Sequence, residues 1–120
     1  MQNADVKSSF EKGILRFCLC GEVDHHSAVR LREKMDEGIF FHRPKVAVIE
    51  LGRLDFMDSS GLGLILGRYN KMKQLGGKLI LENPTREIEK ILHLSGADKL
   101  IEIQRNDTTE EESDEKRKNQ

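Results

Sequence analysis

Asp55-Phe56-Met57-Asp58-Ser59-Ser60-Gly61-Leu62-Gly63 lies between the apolar run Val46-Ala47-Val48-Ile49-Glu50-Leu51 and an amphipathic stretch, Leu62 to Leu75. The apolar run has the length and composition of a buried strand, and the later stretch has helical spacing, so the nine residues read as the turn joining them. Asp58 suits the N-cap, because its carboxylate can accept hydrogen bonds from the free N–H groups of a first helical turn. Ser59 and Ser60 then occupy the first two helical positions, with hydroxyls near solvent. Gly61 and Gly63 carry no side chain, so another protein's backbone can approach closely. The stretch therefore reads as a docking surface with Ser59 as a candidate phosphorylation switch.

On the N-terminal side, residues 5–10 suggest a short edge strand and Gly13 a hairpin turn. Leu15, Phe17 and Leu19 then alternate with Ile14, Arg16 and Cys18, the period-2 pattern of a strand over Ile14–Cys20 that Gly21 closes. From Asp24, the spacing of Ala28, Leu31 and Met35 predicts a helix to about Ile39, fraying at Gly38, with His42-Arg43-Pro44 as a loop. Residues 46–51 lack clean alternation, as for a parallel strand covered on both faces.

On the C-terminal side, the helix from Ser59 to Leu75 places Leu62, Ile65, Leu66, Tyr69, Met72 and Leu75 on one stripe, and Gly76 suits a left-handed end. Gly67 costs ~1 kcal/mol against alanine within that helix. With Gly63 it leaves a smooth strip that suits sheet packing and partner contact equally. Lys78–Glu82 reads as a strand. Asn83-Pro84 reads as N-cap and first helical residue, opening a helix through Ile88, Ile91 and Leu92 that stops at Ser95-Gly96. Lys99–Ile103 reads as a last strand.

Alternating helices and strands imply right-handed crossovers and an α/β fold on a mainly parallel sheet. From residue 104 onward there is no apolar side chain. One domain over 1–103 with a charged, disordered tail over 104–120 is the expected organisation.

Composition removes several function classes. Charged residues make up 34% of the chain, but the signs nearly cancel to a net charge of −1. A nucleic-acid binder carries a basic excess or stripe, which is missing here. No apolar run approaches the ~20 residues that cross a bilayer, and the start lacks a signal peptide's pattern, so a soluble cytoplasmic protein is expected. Cys18 and Cys20 stand two apart on a strand, roughly 7 Å along the chain, which disfavours a disulfide and leaves buried free thiols as the expectation. Two thiols without a second pair are also a poor zinc site.

Enzymatic readings fare no better. Glu22/Asp24 and Asp55/Asp58 near strand ends suggest a phospho-accepting aspartate, but Lys99 lies at the wrong end of its predicted strand for that chemistry. His25 and His26 are neighbours on a helix, about 100° apart, and do not converge on a metal. No phosphate-cradling glycine loop and no serine elbow is present. No catalytic residue and no metal ligand is assigned.

The segments Gly21-Glu22-Val23-Asp24-His25-His26, Phe56-Met57-Asp58-Ser59-Ser60-Gly61-Leu62-Gly63 and Ile65-Leu66-Gly67-Arg68-Tyr69, with Leu94-Ser95-Gly96, resemble the anti-sigma factor antagonists of the STAS family. The resemblance spans roughly residues 5–103 and favours the sporulation sigma-F type over the general-stress type. It implies a mixed sheet of four to five strands with helices mostly on one side. It also implies a cytoplasmic serine kinase that is itself the anti-sigma factor, and a phosphoserine phosphatase that resets the cycle. ATP and Mg²⁺ belong to that kinase, so the chain needs no cofactor of its own. Nucleic acid and membrane are not implied partners, and a monomer is expected.

Carried onto this chain, the resemblance makes Ser59 the phosphate acceptor and places Asp24, Asp58, Ser60, Gly61, Leu62 and Gly63 at the partner surface. The rival reading is a passive STAS interaction module in which the serine is dispensable. Electrostatics suits the switch. A phosphoserine adds about −1.5 to −2 charge, which a helix N-terminus tolerates but a tightly packed interface beside Asp58 does not. A penalty of about 2–4 kcal/mol weakens binding roughly 30- to 1000-fold.

Overall fold

The computed structural model describes residues 3–106; the tail expected after residue 103 lies mostly outside them. In chain order the elements are β1 (Asp5–Glu11), β2 (Ile14–Val23), α1 (His25–His42), β3 (Val46–Met57), α2 (Ser59–Gln74), β4 (Lys78–Glu82), α3 (Arg86–Ser95), α4 (Ala97–Leu100) and β5 (Glu102–Gln104).

The strands form one sheet in the order β1-β2-β3-β4-β5, antiparallel between β1 and β2 and parallel elsewhere. Lys12 and Gly13, both at positive φ (54° and 82°), make the two-residue hairpin loop between paired Glu11 and Ile14. Each later strand adds on the same side of its predecessor, so right-handed crossovers stack the helices on one face. Leu15, Phe17, Ala47, Ile49, Leu79 and Leu81 point into that layer and are fully or nearly fully buried against Leu31, Met35, Ile65 and Met72.

Among the described residues the opposite face carries no helix. Its side chains are largely polar, with Arg16 of β2 bridging Glu82 of β4 across Val48. Val48 is buried there without joining the core cluster. The uneven pattern of 46–51 therefore does not reflect helices on both faces, as the sequence suggested; the long Arg16 side chain shields the polar side instead. Cys18 and Cys20 lie on this face, half-buried and unbridged rather than buried.

Several boundaries move. β2 continues through Gly21 to Val23, with register shifts between Cys18 and Cys20 and between Gly21 and Glu22. Gly21 is not a terminator: it holds φ +86° where a Cβ would lie 2.5 Å from the Asn3 carbonyl oxygen. α1 runs past Gly38, which sits on Leu15 and Phe17, to His42, and left-handed Arg43 caps it. β3 runs to Met57, so a single residue, Asp58, connects it to α2 and the nine-residue turn does not exist.

The start of α3 falls on Thr85 rather than Asn83, because the Asn83 amide is engaged with Glu50 Oε2 at 2.8 Å. Residues 97–100 form the short helix α4, which displaces the start of the last strand to Glu102. β5 includes Gln104, and the Asn106 N–H donates to Asn83 Oδ1.

Candidate functional site

Val23 and Met57 face each other at the ends of parallel β2 and β3. The next residue of each strand, Asp24 and Asp58, caps a helix, and the Asp58 N–H donates to the Val23 carbonyl at 3.3 Å. The starts of α1 and α2 therefore lie side by side on one edge of the sheet, where both present the positive end of the helix dipole.

Asp24 is held by a reciprocal capping box: the Ser27 N–H donates to Asp24 Oδ1 at 2.9 Å, and the Asp24 N–H donates to Ser27 Oγ at 3.0 Å. The Ser27 backbone N–H, then its hydroxyl, hold the Asp24 carboxyl below its ordinary value. Asp58 is half-buried and its Oδ1 accepts the Ser60 N–H at 2.8 Å. This contact fixes the backbone on both sides of Ser59.

Ser59 is exposed on the first position of α2, and its hydroxyl makes no hydrogen bond among the described residues. Ser60 is half-buried and turns toward α1. With Gly63 and Leu64 it lines an open cleft of about 300 Å³ whose other wall is His25, Val29 and Arg32 of α1. That wall is absent from the linear motif, because nothing in the sequence states which helix lies beside α2.

The two motif glycines do different work. A Cβ on Gly61 would meet the Met57 Cβ at 2.5 Å, so this bare position serves the close fold of α2 onto the end of β3, not an approaching partner. Gly63 is exposed and a Cβ there meets nothing within 4 Å, as at Gly67. The sheet-packing alternative for that strip is thereby removed. Leu62 is half-buried against the core and presents only part of its side chain to the surface.

The buried stripe of α2 is rotated from the expected one. It comprises Gly61, Leu64, Ile65, Arg68 and Met72, while Leu75 is exposed. Arg68 is the position sequence reasoning missed. Its only signal is its place one turn beyond Leu64 and Ile65.

His25 and His26 lie edge to face at 6.0 Å beside the cleft, both exposed. Among the described residues no three His, Cys, Asp or Glu side chains converge to hold a metal ion. Lys99 sits on α4, apart from the Asp55/Asp58 strand end. Among the same residues no helix is long and apolar enough to cross a membrane.

The STAS domain profile matches residues 6–112. An anti-sigma F factor antagonist from Paenibacillus polymyxa is 37% identical over 105 residues, covering 88% of this chain and 90% of that protein. The anti-sigma factor antagonist SpoIIAA in its unphosphorylated form superposes with a TM-score of 0.72 at 31% identity, over 82% of this chain and 87% of that one. The Bacillus cell fate determinant SpoIIAA in its phosphorylated form gives 0.67 at 31% identity, over 82% and 90%.

Proposed function

The chain belongs to the STAS family, and from that premise we propose that it is an anti-sigma factor antagonist switched by phosphorylation of Ser59. Unmodified, it binds an anti-sigma factor that is also a serine kinase and so frees the sigma factor. The kinase, holding ATP and Mg²⁺, transfers the γ-phosphoryl group to Ser59 Oγ; ADP leaves, and the hydroxyl proton passes to a base of the kinase. The product dissociates until a phosphoserine phosphatase hydrolyses the ester. The chain itself catalyses nothing, and it works in the cytoplasm. The likeness to an anti-sigma F antagonist favours the sporulation pathway.

One observation carries this reading: Ser59 is exposed, without a hydrogen bond among the described residues, on a capped helix start beside the α1–α2 cleft. A kinase can reach the hydroxyl without unfolding anything. The phosphate then sits at two adjacent positive helix ends, which the fold tolerates. The partner, packed on Asp58 and the bare Gly63 backbone, meets a buried dianion instead.

Titration calorimetry against the kinase tests the reading. Ser59→Ala is expected to bind like the unmodified protein, whereas Ser59→Asp binds about 30-fold or more weakly with an unchanged circular dichroism spectrum. Intact mass after incubation with kinase and ATP should rise by one phosphate in the natural chain and not in Ser59→Ala. Equal affinities for the two variants, or a phosphate elsewhere, would overturn the assignment and favour the passive module.

A further inference from the structure

We propose that the exposed edge of β1 pairs with β1 of a second copy, joining two sheets into one through a symmetric antiparallel contact centred on Ser9. β1 is an outer strand of seven residues without proline or register shift. Such an edge is open to pairing unless something blunts it. Lys7, Ser8, Ser9, Phe10 and Glu11 are all exposed.

The hairpin fixes which backbone groups are free. A two-residue loop makes the flanking pair Glu11↔Ile14 a hydrogen-bonded one. Alternation then turns the N–H and C=O groups of Lys7 and Ser9 toward β2, and those of Val6, Ser8 and Phe10 outward. The outward Val6 N–H is already taken, donating to Asp5 Oδ1 at 2.8 Å. Among the described residues Ser8 and Phe10 are left with both groups unused. In the Ser9-centred register, Ser8 of one copy faces Phe10 of the other, and these residues satisfy one another's free groups on both sides of the axis.

The same register matches side chains. Lys7 of each copy falls opposite Glu11 of the other on the helix-free face, giving two opposite-charge cross-strand pairs. On the helix side, Phe10 falls opposite Ser8, at the mouth of a cleft of about 400 Å³ between β1 and α1 lined by Val6, Ser8, Phe41 and His42. Phe41 is 79% exposed and Phe10 41%. Phe10 already stacks on His42 at 4.3 Å, so its ring is oriented toward that aromatic cluster. Centring on Ser8 instead would require the occupied Val6 N–H and would leave Lys7 facing serine.

The contact is small, so a weak, concentration-dependent dimer follows. It lies at β1, across β2 from the start of α2, and leaves Ser59 open in both copies.

Sedimentation velocity on the full chain across a hundredfold concentration range tests the proposal. A dimer is expected to appear with rising concentration. Lys7→Glu and Glu11→Lys should each raise its dissociation constant at least tenfold, and the double reversal should restore it. Ser8→Pro, which removes an outward N–H that β2 does not use, should abolish it while circular dichroism stays native. A monomer throughout, or a dimer indifferent to Ser8→Pro and to both charge reversals, overturns the proposal. A monomer that binds an added extended peptide along β1 also overturns it, in favour of a heterologous strand partner.

Discussion

Arg68 Nε lies 3.0 Å from Asp36 Oδ1, joining the middle of α2 to α1 through an ion pair whose arginine side chain is only 6% exposed. The contact is ionic rather than a well-aligned hydrogen bond, since neither atom meets hydrogen-bond geometry. Burial pulls the Arg68 guanidinium below its ordinary value, while Asp36 opposes that shift and nearby Arg32 adds to it. The pair fixes the spacing of the two helices whose starts form the Ser59 edge.

Removing Asp36 should therefore cost more than removing both charges. Asp36→Ala strands a buried cation and is expected to destabilise by about 2–3 kcal/mol, less than a fully buried pair because Asp36 is partly exposed. Arg68→Met combined with Asp36→Leu should recover most of that loss. Urea denaturation of the three proteins decides it; equal stability of Asp36→Ala and the natural chain would count against a structural role for the pair.

The glycines of the motif should separate fold from binding. Gly61→Ala drives a Cβ into Met57 and is expected to cost about 1–3 kcal/mol of stability. Gly63→Ala enters open space and should stabilise the helix by about 0.5–1 kcal/mol while weakening kinase binding. Thermal melts paired with calorimetric titration give both readouts. A Gly63→Ala variant that binds at full strength would place the partner away from this strip.

Asp58 acts first as a cap. Asp58→Ala should lower stability by about 1 kcal/mol, and Asp58→Asn should keep nearly all of it, because an amide oxygen can still accept the Ser60 N–H. Amide exchange at Ser60 is the local reporter. Unchanged protection in Asp58→Ala would show that the helix start is held by packing alone.

Acid should weaken the fold through Asp5 and Asp24. Both carboxyls sit below the ordinary 3.8, Asp5 through the Val6 N–H and then Lys34, Asp24 through Ser27. A depressed carboxyl contributes stability that is full above its unfolded value and is lost as pH falls through its folded one. The urea midpoint should hold from about pH 7 to about pH 5 and decline below about pH 4. Asp24→Asn starts lower and should decline less steeply; parallel curves would exclude the capping carboxylate as a source of the loss.

Local chemistry was readable residue by residue. Asp58 caps α2, Gly76 and Gly96 hold positive φ at helix ends, and Gly13 completes the hairpin. These outcomes depend on a residue and its near neighbours, which a linear pattern contains. The order of strands and helices, α4 apart, follows from the same periodicities, and with it a mainly parallel sheet. That the helices share one face does not, because the apolar run at 46–51 pointed to cover on both. The Asp-Ser-Ser-Gly start of α2 was likewise visible as an exposed, capped serine.

Other features depend on partners distant in the chain. Asn83 looks like a cap until Glu50, from the neighbouring strand, claims its amide. β3 extends six residues beyond Leu51 because β2, accommodated by two register shifts, continues to offer it a partner as far as Val23. Gly61 proves to be a packing contact and Gly63 a surface only once Met57 is in place. The sequence by itself determined where α1 and α2 begin and which serine the start of α2 displays. Tertiary structure alone decided that α1 forms the second wall beside that serine and that Arg68 is buried, because both require side chains about thirty residues apart to be brought into contact by the parallel pairing of β2 with β3.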